Sequence, residues 1–197
     1  DKGDYYEDTL GTYLVKVSAC SLTDVDSHEV SKLLHIIGDF ERISDHAVNI
    51  AQVAQSKNNG NVIFSDKAKA ELANMSGAVI EILDKAILSF ENDDIACAKS
   101  IEPLEEVIDM LKDHLKTKLV ERRKEGKCTI ENGVVFLDLI QNFERISDHC
   151  SNIGGYVLEL KEDRLDTHEY MRDMKNINSS EFLSALEEFK EKYYTNI

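Results

Sequence analysis

Phe40-Glu-Arg-Ile-Ser-Asp-His46 returns letter for letter as Phe143-Glu-Arg-Ile-Ser-Asp-His149. After two free positions both copies continue with Asn-Ile, at Asn49-Ile50 and Asn152-Ile153. Nine of eleven positions agree at an offset of 103 residues, so the chain is an internal duplication. The retained letters include Glu, Arg, Asp, His and Asn. Packing asks only for apolar residues of about the right size, so a repeated polar set points to chemistry or to specific polar contacts.

The repeat extends outward. Asp8-Thr-Leu-Gly-Thr-Tyr-Leu-Val15 matches Asp113-His-Leu-Lys-Thr-Lys-Leu-Val120 at five of eight positions, offset by 105. Each unit is therefore a helix, a turn and a motif helix, and the second unit carries one more helix ahead of them. Helices are expected at 4–20 and from an N-cap at Asp26 or Ser27 to about Gln55. Further helices are expected from Ser65 or Asp66 to Phe90, and from Asp93–Asp94 to Glu125. Pro103 lies inside that last stretch, where it marks a kink or a fresh start capped by Ser100. A helix over 131–160, a short one near 166–175 and a last one from Ser179 or Ser180 complete the series. The apolar period of Leu33, Ile36, Ile37, Phe40, Ile43, Ala47, Ile50 and Ala54 is helical. With one proline and nine glycines in 197 residues, the fold class is all-α. The domains read as a first repeat over 1–57 lacking its first helix, a second repeat over 62–163, and a helical tail over 164–197.

A net charge of −15 repels polyanions, so nucleic acid is excluded as a partner and cations are the natural small ligands. No apolar run reaches the roughly 18–20 residues of a membrane span. The four cysteines form no Cys-x-x-Cys pair and read as free thiols, with Cys20, Cys97 and Cys150 as core fillers. Asp1 reads as a non-native start, with upstream sequence expected.

On a helical wheel Glu41, Asp45 and Asn49 stack on one face, and Glu144, Asp148 and Asn152 do the same. Two carboxylates one turn apart repel by a few tenths of a kcal/mol, roughly, when exposed. A pairing kept twice suggests a cation between them. Glu105 and Asp109 form another such pair on the preceding helix. Antiparallel packing would turn it toward Glu144 and Asp148, and four carboxylates could hold more than one ion. In register, Asp4 pairs with Asp109, and the equivalent of Glu105 falls one position before Asp1. Acidic residues at helical spacing are ordinarily a solvated face. The duplication favours a cation role for the two motif pairs and leaves Glu105/Asp109 open between the readings. His46 and His149 read as polar neighbours rather than ligands, and Asn49 and Asn152 as hydrogen-bonders within the bundle.

The doubled Phe-Glu-Arg-Ile-Ser-Asp-His-x-x-Asn-Ile segment resembles the signature of the PhoU family of phosphate-regulation proteins. Those are tandem three-helix bundles with a Glu/Asp-x-x-x-Asp motif on two helices of each bundle. Glu41 to Asp45 and Glu144 to Asp148 match that motif, Glu105 to Asp109 matches its partner, and Asp4 matches the last position of the fourth copy. Within the family the chain is most similar to the PhoU-like C-terminal domain of bacterial sodium/phosphate cotransporter II-type proteins. The resemblance implies a regulatory, metal-binding module rather than an enzyme. It implies a divalent or trivalent transition metal (iron, zinc, nickel or manganese) on Asp4, Glu41, Asp45, Glu105, Asp109, Glu144 and Asp148. It also implies a cytoplasmic domain attached to a transmembrane transporter in the inner or plasma membrane, and leaves room for a homo-oligomer. The tail is expected on the bundles, in the groove of the absent helix, or against the transporter. The competing readings are a carboxylate-bridged di-metal enzyme and a metal-free interaction scaffold. A ferritin-like site uses Glu-x-x-His, which the sequence lacks.

Overall fold

The computed structural model describes residues 2–56, 62–165 and 179–194. The described residues form helices α1 (Lys2–Ser18), α2 (Asp24–Ser56), α3 (Asp66–Asn92), α4 (Ile95–Lys99), α5 (Ile101–Lys124), α6 (Ile130–Leu165) and α7 (Ser180–Phe189). A π-helical turn, Lys190–Tyr194, follows α7. No strand occurs among them. The helix expected near 166–175 lies outside the described residues.

Local chemistry sets the boundaries. Thr23 Oγ1 accepts from the Asp26 N–H at 3.2 Å while Asp26 Oδ2 accepts from the Thr23 N–H at 3.3 Å. This reciprocal cap starts α2 at Asp24, earlier than expected, because Asp26 is the returning half of the cap rather than its first residue. Ser65 Oγ caps α3 and Ser179 Oγ caps α7. α5 begins afresh after Ser100, with Pro103 in its first turn, where a missing N–H costs nothing. Gly126, at φ +68°, closes α5, and the Lys127 N–H reaches back to the Arg122 carbonyl at 2.9 Å.

α3, α5 and α6 pack as a three-helix bundle, and α2 packs along α6. The core runs through Met75, Ile82, Leu104, Ile108, Leu111, Leu115, Phe136, Ile140 and Ile153, all essentially without solvent exposure. α6 approaches α5 closely at Gly154, where a Cβ would meet Ile101 Cδ1 at 2.9 Å. α7 packs on α5, and the turn after it docks on α3 through Asn74 Nδ2, which donates to the Tyr193 carbonyl at 2.6 Å.

Among the described residues α1 packs mainly on α2, and none of its residues is buried. Leu111 and Leu115 are fully buried under α3, whereas Tyr6 and Leu10, their counterparts in the repeat, are 59% and 44% exposed. Among the described residues no third helix covers α1 and α2 as α3 covers α5 and α6. Of the cysteines, Cys150 is buried, and burial pushes its thiol up to about 12. Cys97 is half-buried. Cys20 is exposed, against expectation, because it stands beyond the end of α1, where no described residue buries it.

Candidate metal centres

Two acidic groups form where the helices of each repeat face one another. In the first, α1 supplies Asp4 and α2 supplies Glu41 and Asp45; one carboxylate oxygen from each lies within 4.8 Å of the others. In the second, α5 supplies Glu105 and Asp109 and α6 supplies Asp148, under the same limit. Metal–oxygen bonds run about 2.0–2.6 Å, so two ligands of one ion stand at most about 5 Å apart. Both triads fit one hard or borderline cation by distance and donor type.

Their environments differ. Asp4 and Asp45 are exposed and Glu41 is half-buried, whereas Glu105, Asp109 and Asp148 are all half-buried. Burial, then the charges of Glu102, Asp109, Asp148 and Glu106, push the Glu105 carboxyl up to about 8. Asp148 is raised by burial and by Glu144, with Arg145 pulling the other way. Glu41 is raised by burial, then by Asp45, Glu7 and Asp4. Clustered acids that disfavour their own ionisation are the electrostatic condition for taking up a cation.

Glu144, expected among the ligands, stands beside the second triad rather than in it. It is 8% exposed, and its Oε1 accepts from Lys112 Nζ at 2.8 Å. Lys112 Nζ also donates to Asp109 Oδ1 at 2.7 Å. Burial works against this ammonium, but the bonds to Asp109 and Glu144 outweigh it and hold its pKa above the ordinary lysine value. On the outer side Arg145 lies 3.3 Å from Asp148 Oδ2 and 3.8 Å from Glu144 Oε2, and Gln141 Nε2 donates to Glu144 Oε2 at 3.4 Å. Sequence reasoning passed over Lys112. The available signal was the register, which sets Lys112 against Glu7.

The histidines and asparagines of the motif turn away from the acids and tie the two motif helices together. His149 Nδ1 donates to Asp39 Oδ1 at 2.7 Å, and Asn152 Nδ2 donates to the same oxygen at 3.3 Å. In mirror fashion His46 Nδ1 lies 2.9 Å from Asn142 Oδ1, and Asn49 Nδ2 donates to it at 3.4 Å. Asn142 Nδ2 already donates to the Asp138 carbonyl at 2.8 Å, so its Oδ1 is the acceptor and His46 the donor. The two imidazoles stack with centroids 5.8 Å apart. Asp39 and Asn142 are equivalent in the repeat and are 2% and 6% exposed. Each copy of the motif thus grips the residue just ahead of the other copy.

The sequence profile of the PhoU domain matches residues 2–54 and 72–157. Curated relatives are phosphate-specific transport system accessory protein PhoU homologs. The Thermotoga maritima homolog 1 is 25% identical over 144 residues, covering 73% of this chain and 61% of the relative. The Xylella fastidiosa (strain Temecula1) homolog is 27% identical over 155 residues, covering 78% and 63%. The Mycobacterium tuberculosis (strain H37Rv) homolog 1 is 28% identical over 130 residues, covering 66% and 58%. The chain therefore spans about three fifths of the length of these relatives. The crystal structure of PhoU from Pseudomonas aeruginosa superposes with a TM-score of 0.76 at 21% identity, over 82% of this chain and 77% of that one, a likeness of fold. With the domain profile covering most of its helices and the motif repeated on α2 and α6, the chain belongs to the PhoU domain family.

Proposed function

We propose that this chain is a regulatory module of phosphate transport that binds transition-metal ions on its paired acidic motifs. The observation that carries the metal reading is the pair of carboxylate triads, Asp4/Glu41/Asp45 and Glu105/Asp109/Asp148, each gathered within 4.8 Å from two different helices. Glu144 borders the second triad and is held by Lys112. Iron, zinc, nickel and manganese all suit carboxylate-rich sites. A bound cation would neutralise acids that now repel one another and would fasten α1 to α2 and α5 to α6.

The transport reading is supported by the names of the relatives, which are accessory proteins of phosphate-specific transport systems. The narrower form is the one the sequence resemblance implies, a cytoplasmic PhoU-like domain joined to a sodium-dependent phosphate transporter of the inner or plasma membrane. In that form the partner is the transmembrane part of the same polypeptide. No described helix is long and apolar enough to cross a membrane, so membrane contact would come through that partner. An enzymatic role has no support in the acid–lysine geometry of the second cluster.

The test is metal content by mass spectrometry, after purification without chelator or nickel resin and equilibration with Mn2+, Fe2+ or Zn2+. Bound metal that falls when Glu41→Gln/Asp45→Asn or Glu105→Gln/Asp148→Asn is introduced supports the reading. Absence of metal under every condition leaves the interaction scaffold as the function. A full coding sequence without transmembrane spans would sink the fused form.

A further inference from the structure

We infer that Lys112 is a tethered cation that fills one ion position of the second cluster, so that this cluster accepts a single metal ion. The inference rests on the metal-binding reading above. Lys112 Nζ is bonded to Asp109 Oδ1 at 2.7 Å and to Glu144 Oε1 at 2.8 Å. Asp109 belongs at the same time to the triad with Glu105 and Asp148. One carboxylate therefore stands between two cation positions, as in a carboxylate-bridged pair of ions, with an ammonium already seated in one of them.

Two facts make the ammonium a resident rather than a surface ornament. Its side chain is 12% exposed, against 52% for Arg145, so it cannot swing into water as the arginine can. The repeat also supplies a control. Arg42 matches Arg145, so the arginine is common to both clusters, while Lys112 is matched by Glu7. Glu7 is near enough to raise the Glu41 carboxyl, so at this position the first cluster has a fourth acid where the second has a base. A carboxylate suits a further ion, and an ammonium excludes one by charge and by volume.

The experiment counts Mn2+ per chain by equilibrium dialysis and mass spectrometry. A Glu41→Gln/Asp45→Asn background silences the first cluster. In that background the expected count is one ion, rising to two when Lys112→Gln is added, with the second ion visible as a spin-coupled pair in the electron paramagnetic resonance spectrum. Melting in chelator should show Lys112→Gln destabilised, and Mn2+ should restore it. A count that stays at one, or that is already two with Lys112 present, overturns the inference while leaving metal binding intact. No Mn2+ on the unsubstituted chain, or on any variant, overturns both. Should Lys112→Gln fail to fold, Glu7→Lys decides from the half-buried face of α1 in the otherwise unchanged chain. One ion fewer supports the role of a tethered cation, and an unchanged count overturns it.

Discussion

The first repeat lays Asp4, Glu41 and Asp45 on the open edge of α1 and α2, while the second gathers Glu105, Asp109 and Asp148, all half-buried, between α5 and α6. Both are sets of three carboxylates drawn from two helices, and they differ in exposure and in the lysine that borders the second. In the covered repeat, burial lifts Glu105 to about 8, and a lysine is recruited to Asp109 and Glu144. In the open repeat, water screens the acids and the lysine position is free to be Glu7. Burial thus decides how much internal charge compensation a repeated motif needs before it can fold without its ion.

The sharpest way to break this comparison is to truncate equivalent core positions. Leu115→Ala should cost about 2–5 kcal/mol, since Leu115 is fully buried. Leu10→Ala should cost less than about 1 kcal/mol, since Leu10 is 44% exposed. Urea denaturation of the two variants measures the gap, and equal costs would show that α1 is covered after all.

The clamp between the motif helices should be the next largest. Asp39→Ala strands His149 and Asn152, and Asn142→Ala strands His46 and Asn49, each at about 1–3 kcal/mol for unmet buried partners. The charged half should cost more. Asp39→Asn, which makes the two halves alike, should cost the least of the three, and the same denaturation series ranks them.

A smaller effect, tempered by partial exposure, lies in pH. The folded chain holds the Glu105 proton up to about 8, while the unfolded chain releases it near the ordinary value of 4.5. The folded state binds more protons across that window, so metal-free stability falls as pH rises from about 4.5 to about 8. Melting in chelator should show this slope, and Glu105→Gln should flatten it. Metal affinity at the second cluster should run the other way and strengthen with pH, because the ion must displace that proton. A slope unchanged in Glu105→Gln would assign it to other groups. The smallest contrast is a control. Thr23→Ala and Ser65→Ala should each cost about 1 kcal/mol, because a helix cap is local and does not register which repeat is covered.

Much of this was legible in the sequence, because caps and apolar periods are local and duplication doubles every signal. The helix order and the two acidic faces follow from residues no more than a turn or two apart, and Pro103 marks a kink or a fresh start, of which the fold takes the fresh start. Lys112 was not legible. Three residues after Asp109, it has the spacing of an ordinary exposed helix pair, and only the packing of α5 on α6 brings Glu144 to it. Asp39 was hidden for the same reason, since His149 reaches it across 110 positions. The shared offset of Asp39 and Asn142 was present in the letters, but their buried position became visible only with α2 laid along α6.

The reciprocal grip of the two motif helices has a consequence for descent. Position 39 meets the histidine of the second copy, and position 142 meets the histidine of the first. That exchange of i with j and j with i is the contact rule of a two-fold homodimer. Two ancestral subunits that met face to face, later joined end to end, would leave this pattern. Each copy would remain the other's binding partner, so a change of letter in one would be tested at once against the other. Of the letters shared by both copies, the histidine and the asparagine are the ones that this exchange uses.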